Sequence, residues 1–183
     1  MPNFTGKEIF DTAFKSKLIK SVLSDVLKLC IFFGILIFIS QYYRIVGIPT
    51  SSMYPTLKKG DFVLVDMKYK DFKAGDILGF EAPKGSSYEG DVLIKRLIAL
   101  PGDTIQTNEG KVYVNGKEIS EPYLFETPLF DTEQVVVPEN CYYMLGDNRN
   151  NSEDSNIYGA VNKESFKGKV VMKIFPRIQK FEE

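Results

Sequence analysis

One strongly apolar run near the N-terminus constrains the fold more than any other feature of the sequence. No residue at 29–43 is charged, and the stretch at 30–39 is wholly apolar. Such a run is apolar all round, whereas a surface helix is apolar along one face only. It reaches the length of a membrane span, about 20 residues, if it begins near Val26 and the side chain of Lys28 extends to the lipid headgroups.

Three interpretations of this run are open: a buried core helix, a cleaved secretory signal and an uncleaved signal anchor. A cleaved signal would be followed by a small-x-small site. Residues 39–43 read Ile-Ser-Gln-Tyr-Tyr and are too bulky for such a site, so the anchor is favoured. Tyr42 and Tyr43, followed by Arg44, are typical of the interface at the far end of a span.

Charged residues before the run indicate its orientation. Lysines outnumber acidic residues there: Lys7, Lys15, Lys17, Lys20 and Lys28 against Glu8, Asp11 and Asp25. The positive-inside rule therefore puts the N-terminus in the cytoplasm and the rest of the chain outside. We predict a cytoplasmic segment at 1–25, a transmembrane signal anchor at 26–44 and an extracytoplasmic domain at 45–183.

The sequence after the anchor is typical of antiparallel β-structure. Short apolar runs between turn residues predict strands, at 62–65, 76–80, 92–100, 134–137, 141–145 and 169–175. Asn115-Gly116 predicts a two-residue hairpin. No convincing amphipathic helix follows the anchor. We therefore predict a mainly β fold, an antiparallel β-sheet domain preceded by one N-terminal transmembrane helix, with a small inserted β subdomain at about 107–137.

Composition excludes several classes of chemistry. The net charge of -1 gives no basic field for nucleic acid. The chain has no histidine, which removes the usual general base and the commonest metal ligand. Its two cysteines, Cys30 in the apolar run and Cys141 far downstream, form neither a disulfide nor a metal-spacing motif. We expect no metal and no cofactor, so any chemistry must use Ser, Thr, Lys, Tyr, Asp or Glu.

The stretch at 48–57, Ile-Pro-Thr-Ser-Ser-Met-Tyr-Pro-Thr-Leu, is called here the hydroxyl loop. Proline fixes φ and lacks an N–H donor, so this stretch is neither a helix nor a central strand. It is interpreted as a rigid, apolar loop that presents a hydroxyl close to a membrane surface. An ordinary Ser/Thr/Pro linker between anchor and domain is the alternative.

The predicted strand at 92–100 carries two adjacent cations, Lys95 and Arg96. Alternate residues of a strand share a face, so these two side chains point to opposite faces, each among apolar neighbours. Desolvation lowers the pKa of a buried lysine by up to several units, which allows it to act as a general base. The alternative is that both side chains extend to solvent from an edge strand. The missing histidine favours the functional interpretation, because Ser-Lys pairs replace histidine-based ones.

A third stretch, at 146–155, is called here the acidic loop and reads Gly-Asp-Asn-Arg-Asn-Asn-Ser-Glu-Asp-Ser. Acidic and amide residues with glycine predict a hydrogen-bonded turn after a strand. A calcium loop is a second possibility, although the spacing is not that of an EF-hand.

Together, residues 52–57, 95–103 and 146–155 resemble three sequence boxes of the bacterial type I signal peptidases, in the order and separation of that family. The resemblance covers residues 46–175, and the single anchor also fits. The compact length resembles the forms of Gram-positive bacteria and cyanobacteria. The resemblance implies a membrane-bound serine endopeptidase that removes signal peptides from secreted preproteins at the outer face of the cytoplasmic membrane. It also implies that the partners are signal peptides and the lipid bilayer, and we expect a monomer.

The resemblance implies catalytic roles for four residues. Ser52 matches the nucleophile and Lys95 the general base. Thr50 matches a hydroxyl position that helps the Ser52 backbone N–H form the oxyanion hole. Ser152 matches the hydroxyl that orients the lysine amine.

It also implies supporting roles. Asp147 and Arg96 match an ion pair, and Asp154 matches a further carboxylate near the site. Where the family often has arginine two residues after that carboxylate, this chain has Asn156. An ion pair at that position is therefore not expected, although the amide can hydrogen-bond.

By the same resemblance, apolar residues are expected to line shallow pockets for small residues at the first and third positions before the cut: Ile48, Pro49, Met53, Leu57, Leu93 and Ile94. For Leu57 and Leu93, a place in the core is an equal alternative. Two other functions are considered, a Ser/Lys self-cleaving regulator and a tethered β domain that only binds exported peptides. The anchor argues against the first, and intact Ser52, Lys95 and Ser152 argue against the second.

Overall fold

The computed structural model describes the backbone of residues 6–181 and the side chains of residues 17–181. The chain divides into two compact units, Met1–Tyr42 and Tyr43–Glu183, and each is described by itself.

The first unit is one α-helix, α1, at Gly6–Ser40. Within it, Lys17–Ser40 is 24 residues long with a mean hydropathy of 2.4, and none of its residues is buried. By length and composition this segment can cross a membrane. The helix starts well before the predicted anchor at 26–44 and ends sooner, at Ser40.

The strands of the second unit are β1 Tyr43–Gly47, β2 Phe62–Asp66, β3 Ile77–Glu81, β4 Val92–Ala99, β5 Thr104–Asn108, β6 Lys111–Val114, β7 Lys117–Glu118, β8 Val135–Val136, β9 Cys141–Leu145, β10 Val161–Asn162, β11 Phe166–Phe175 and β12 Gln179–Lys180. A short helix, α2, lies at Ser155–Tyr158, and two 3₁₀ turns lie at Arg149–Asn151 and Lys163–Ser165.

The larger sheet is antiparallel and has eight strands in the order β1-β2-β11-β3-β4-β9-β10, with β12 paired to β11. Strand β1 was not predicted. Tyr43 and Arg44, which were predicted to end the anchor, instead pair with Asp66 and Val65 of β2. The first strand thus begins at the end of the apolar run.

The smaller sheet has the order β7-β6-β5-β8 and spans most of the stretch predicted to be a small inserted subdomain. It begins at Thr104, slightly before the predicted boundary at 107. Asn115 and Gly116 have φ values of 52° and 73°, as the primed turn of a two-residue hairpin requires. The predicted hairpin is therefore present.

Three clusters of buried apolar side chains form the core. The first joins the hydroxyl loop to the larger sheet and comprises Ile48, Met53, Leu57, Val63, Val65, Ile77 and Val170. Leu57 is completely buried, which stabilises the fold by roughly 2 kcal/mol. The apolar ends of the hydroxyl loop thus hold its middle part, with Ser52, at the surface of the sheet.

Strand β4 has one edge that is only partly paired. It pairs with β3 from Val92 to Arg96, but its pairing with β9 is confined to Arg96–Ala99. Within the described residues, the edge at 92–95 that faces away from β3 therefore has no partner strand.

Replacing Gly168 with alanine is expected to destabilise the larger sheet. A Cβ atom there would overlap the carbonyl oxygen of Asp66 and lie 2.9 Å from Cγ1 of Val65. We expect Gly168→Ala to lower the free energy of unfolding by about 1–3 kcal/mol, measured by thermal unfolding of the full chain in detergent. Gly79, its register partner on β3, is the matched control, because a Cβ there meets only ordinary contacts at 3.8 and 3.9 Å. Equal losses in both variants would contradict the steric explanation.

Candidate active site

A cavity of about 710 Å³ opens where three distant parts of the second unit meet. Its lining comes from residues within 49–52, 88–95 and 150–153. These are the hydroxyl loop, the start of β4 with the turn before it, and the acidic loop. The three stretches singled out in the sequence thus form one site.

Ser52 is half-buried in the turns of the hydroxyl loop and lines the cavity. Its Oγ lies 3.3 Å from Oγ1 of Thr50. The Ser52 carbonyl accepts a hydrogen bond from the Asn148 backbone N–H at 3.0 Å, and the Ser51 carbonyl accepts one from the Asn148 side-chain amide at 3.2 Å. The acidic loop therefore fixes the backbone that carries the Ser52 hydroxyl.

Lys95 is buried on β4, with 3% of its surface exposed, and also lines the cavity. Burial lowers its pKa to about 8, because the ammonium loses its hydration. The carboxylates of Asp154, Glu153 and Asp147 oppose this shift by favouring the charged form. A large fraction of Lys95 is therefore neutral near pH 8 and able to accept a proton.

Ser52 and Lys95 share the cavity, but within the described residues no hydrogen bond joins them. Catalytic hydrogen bonds are often long without substrate. Ser152 lines the same cavity, and its buried Oγ lies near the Asp154 carboxylate, whose pKa it helps to lower.

Gly146 brings the acidic loop against the hydroxyl loop. A Cβ atom at this position would overlap both the Ser152 side chain and the Ser52 carbonyl oxygen. Only glycine allows this approach, because any side chain would push the two loops apart.

Arg96 and Asp147 form a bidentate ion pair next to Lys95. Arg96 Nε donates to Oδ1 of Asp147 at 2.8 Å and Nη2 donates to Oδ2 at 2.7 Å. The remaining nitrogen, Nη1, donates to the Gly75 carbonyl at 2.8 Å, and the Thr56 hydroxyl donates to Asp147 Oδ2. Since Asp147 is fully buried, these donors are needed to hold its charge.

Asp154 is also buried, and its oxygens accept from backbone and amide groups. Oδ2 accepts from the Gly146 N–H at 3.0 Å, and Oδ1 accepts from the Asn156 backbone and side-chain nitrogens at 3.2 Å each. Burial raises the pKa of Asp154, and the N–H donors partly oppose that shift. Asn156 thus supplies neutral hydrogen bonds where the family often has arginine. Because the Asp147 and Asp154 oxygens already have protein partners, their contacts do not favour a calcium loop.

The cavity is lined by two of the six predicted pocket residues, Pro49 and Leu93. The other four lie in or against the first core cluster: Ile48, Met53, Leu57 and Ile94. Leu57 therefore follows its alternative interpretation as a core residue.

Sequence reasoning missed several residues of the site. Tyr88 and Asp91 line the cavity ahead of β4, and Thr56 binds the buried carboxylate of Asp147. Glu121 pairs with Arg149 of the acidic loop. Each of these residues is polar and occurs in a predicted turn or loop, where a solvated side chain is the ordinary expectation. The motif resemblance was the only available signal, and it covered Thr56 without giving it a role.

Comparison with known proteins identifies the family. Residues 18–175 match the family described as signal peptidase, peptidase S26. The chain belongs to this signal peptidase family. Its members are peptidases, which confirms the predicted class of enzyme, a serine endopeptidase of the signal peptidase I type.

Individual relatives agree with this assignment. The chain is 38% identical over 136 residues to a probable signal peptidase I-1 of Synechocystis. The aligned region covers 70% of this chain and 69% of that protein. It is 32% identical over 183 residues to signal peptidase IB of Staphylococcus aureus, with 88% and 92% covered. A crystal structure of a signal peptidase I from Enterococcus faecalis superposes with a TM-score of 0.50 at 32% identity, covering 56% of this chain and 99% of that one. The predicted mainly β fold with an N-terminal apolar helix is confirmed.

The buried amine of Lys95 should reduce stability at neutral pH. Its pKa is lowered from 10.5 to about 8, so below pH 8 the folded chain holds a desolvated ammonium that the unfolded chain hydrates. Lys95→Met is therefore expected to raise the free energy of unfolding at pH 7 by about 1–3 kcal/mol, and the gain should shrink as pH rises from 8 towards 10.5. Thermal unfolding in detergent at pH 7 and pH 10 measures it.

Lys169 provides a matched control for this prediction. It is equally buried, but its Nζ lies 2.7 Å from Asp76. Burial opposes its charged form, yet the hydrogen bond and the charge of Asp76 raise the pKa of Lys169. Lys169→Met should therefore destabilise the fold, because it leaves Asp76 buried and unpaired. A loss of stability in Lys95→Met at pH 7 would contradict the account given for Lys95.

Proposed function

We propose that this chain cleaves N-terminal signal peptides from exported preproteins, with Ser52 as nucleophile and Lys95 as general base. One observation carries the proposal: Ser52 and a buried lysine with a pKa of about 8 line the same cavity. Ser-Lys pairs of this kind are a recognised alternative to histidine-based triads. Membership of the signal peptidase family supports the choice of substrate.

The proposed reaction has two halves. Neutral Lys95 accepts the proton of the Ser52 hydroxyl as Oγ attacks the scissile carbonyl, and the protonated amine then donates to the leaving amino group. Water next attacks the acyl-enzyme while Lys95 accepts a proton from it. The protonated amine then returns this proton to Ser52 Oγ as the acyl bond breaks, which releases the new carboxyl end and restores neutral Lys95. The Ser152 hydroxyl orients the lysine amine, a role that its place in the same cavity as Lys95 supports.

The tetrahedral intermediate needs donors for its negative charge. The Ser52 backbone N–H and the Thr50 hydroxyl are the proposed oxyanion donors, each worth on the order of 3 kcal/mol. The Thr50 hydroxyl lies 3.3 Å from Ser52 Oγ, close enough to reach an oxyanion after a small rotation. Arg96, Asp147 and Asp154 support the site by holding its loops.

The substrate is proposed to bind in an extended conformation along the unpaired edge of β4 at 92–95. An extended peptide gains main-chain hydrogen bonds from such an edge. Pro49 and Leu93 form walls of the cavity, which admit small side chains and reject bulky ones by clash. We therefore expect cleavage after small-x-small sites. The other predicted pocket residues, Ile48, Met53, Leu57 and Ile94, are proposed to support these walls from the first core cluster.

We further infer that Lys17–Ser40 anchors the enzyme in the cytoplasmic membrane. Its length and hydropathy support a single span. The lysines before the apolar run support a cytoplasmic N-terminus and an extracytoplasmic catalytic domain. We also propose that the monomer is the active form.

Cleavage should depend on Ser52. We expect the detergent-solubilised wild type to cut a purified preprotein once, after its small-x-small site, and Ser52→Ala to leave it intact, as followed by mass spectrometry. Ser165→Ala, which removes a hydroxyl that does not line the cavity, is the control and should cut normally. Cleavage by Ser52→Ala would refute the nucleophile, and no cleavage by folded wild type would favour a binding function.

Activity should rise with pH as Lys95 loses its proton. With a pKa of about 8, kcat/KM is expected to increase roughly tenfold per pH unit below pH 8 and to level off above about pH 9. Initial rates on the same preprotein from pH 6 to pH 10 test this. A flat profile across that range would contradict a lysine base.

A further inference from the structure

A segment of the inserted subdomain contacts the back of the active site. This clamp segment, residues 121–129, follows β7 and lies outside the regular strands. None of its residues lines the cavity, yet it contacts the hydroxyl loop, the acidic loop and Arg96 of β4, the residue after Lys95.

The first contact is a buried ion pair between Glu121 and Arg149 of the acidic loop. Arg149 Nη1 donates to Oε2 of Glu121 at 3.0 Å, and Nη2 donates to Oε1. Arg149 Nε donates to the Gly146 carbonyl at 3.0 Å. The side chains of Arg149 and Glu121 are 0% and 6% exposed. The position of Gly146 thus depends, through Arg149, on a carboxylate of the clamp segment.

The second contact is made by Tyr123. Its ring centroid lies 3.9 Å from Cζ of Arg96, which is a stacked cation–π geometry. Its hydroxyl donates to Oε1 of Glu121 at 2.8 Å. The Arg96 guanidinium therefore contacts the ring of Tyr123, and its Nε and Nη2 groups donate to Asp147.

The third contact is made by the side-chain amide of Asn150. Nδ2 donates to Oε1 of Glu126 at 2.9 Å and to the Thr127 carbonyl at 3.0 Å. Oδ1 accepts from the Leu129 backbone N–H at 2.8 Å. These bonds fix Asn150, which lines the cavity, from outside.

The fourth contact reaches the hydroxyl loop. The rings of Phe125 and Tyr54 meet edge to face with centroids 4.8 Å apart. Tyr54 is two residues beyond Ser52.

We propose that the clamp segment holds the hydroxyl loop, β4 and the acidic loop in register, and that Glu121 and Tyr123 are positioning residues of the active site. Both act through arginines, Glu121 through Arg149 and Tyr123 through Arg96. The proposal rests on the proposed function, since it assigns these residues to the geometry of the Ser52–Lys95 reaction.

Removing the Glu121 charge should impair turnover more than substrate binding. We expect Glu121→Gln to lower kcat on the order of a hundredfold, as a displacement of about 1 Å does, with KM changed less than about threefold. No hydrogen bond, ion pair or ring contact of the described residues joins the clamp segment to the substrate edge at 92–95, which is why KM should change little. Kinetics of preprotein cleavage by the full chain in detergent measure both constants.

A merely structural role would not alter the titration of Lys95. Loosening the acidic loop admits water to Lys95, and burial is the largest cause of its lowered pKa, ahead of Asp154, Glu153 and Asp147. The pKa of Lys95 should therefore rise in Glu121→Gln, and the midpoint of the pH profile should move up with it. NMR of ¹³C-labelled lysine, assigned with Lys95→Met, follows this titration without requiring cleavage.

Glu118, on β7 of the smaller sheet, provides a matched control. Its Oε2 lies 2.8 Å from Lys111 Nζ in an exposed ion pair of β6 and β7. Glu118→Gln should leave kcat and the Lys95 titration as in the wild type. If folded Glu121→Gln matches Glu118→Gln in both readouts, the clamp proposal is wrong, whereas a wild type that never cleaves would instead refute the proposed function.

Tyr123 provides an independent pair of variants, in case Glu121→Gln is unfolded at the assay temperature. Tyr123→Phe retains the ring over Arg96 and should keep most of the turnover. Tyr123→Leu removes the ring and should lower kcat and raise the Lys95 titration midpoint. Equal kcat and equal titration for these two variants would overturn the positioning role of the stacked ring.

Discussion

The burial of the Lys95 amine is the constraint on which the rest of the site depends. Nearby carboxylates favour the ammonium, so the amine is neutral there only if desolvation outweighs their charge. Asp147 is bound by the guanidinium of Arg96, and Asp154 and Glu153 accept backbone N–H donors. Each of the three carboxylates that favour the ammonium thus has another partner. Only the Arg96 guanidinium offsets a carboxylate charge, whereas the N–H donors stabilise the charged forms of Asp154 and Glu153. Burial of Lys95 therefore has to outweigh the attraction of these two carboxylates for the ammonium.

The site also requires that the hydroxyl loop and the acidic loop, which are far apart in sequence, come into contact. The meeting point is Gly146, where the Ser52 carbonyl and the Ser152 side chain approach one Cα atom. Buried apolar side chains such as Leu57 hold one side of this contact, and the Arg149 side chain holds the other. The core and the ion pairs thus serve the same geometry from opposite sides.

Features encoded by local patterns could be predicted, and those that depend on distant partners could not. The apolar helix, the β character and the hairpin at Asn115-Gly116 follow from hydropathy, periodicity and turn chemistry. Lys95 was recognisable because a cation in an apolar strand is costly. The role of Glu121 was not, because an acidic residue in a polar loop is ordinary until its partner, 28 residues away, is known. The pairing of β11 between β2 and β3 was also inaccessible, since strand order depends on long-range contacts.

The edge of β4 at 92–95, which has no partner strand among the described residues, would determine how the side chains of a bound peptide are oriented. A peptide that pairs with this edge adopts the pleat of the sheet, so its successive side chains point to opposite sides. Residues one and three before the cut then face the same wall, while the residue between them faces away. On this view the spacing of a signal peptide's cleavage site is a property of backbone pairing, and the cavity walls decide only which side chains fit. The preference for small residues at every second position would then result from the two-residue repeat of the β-sheet.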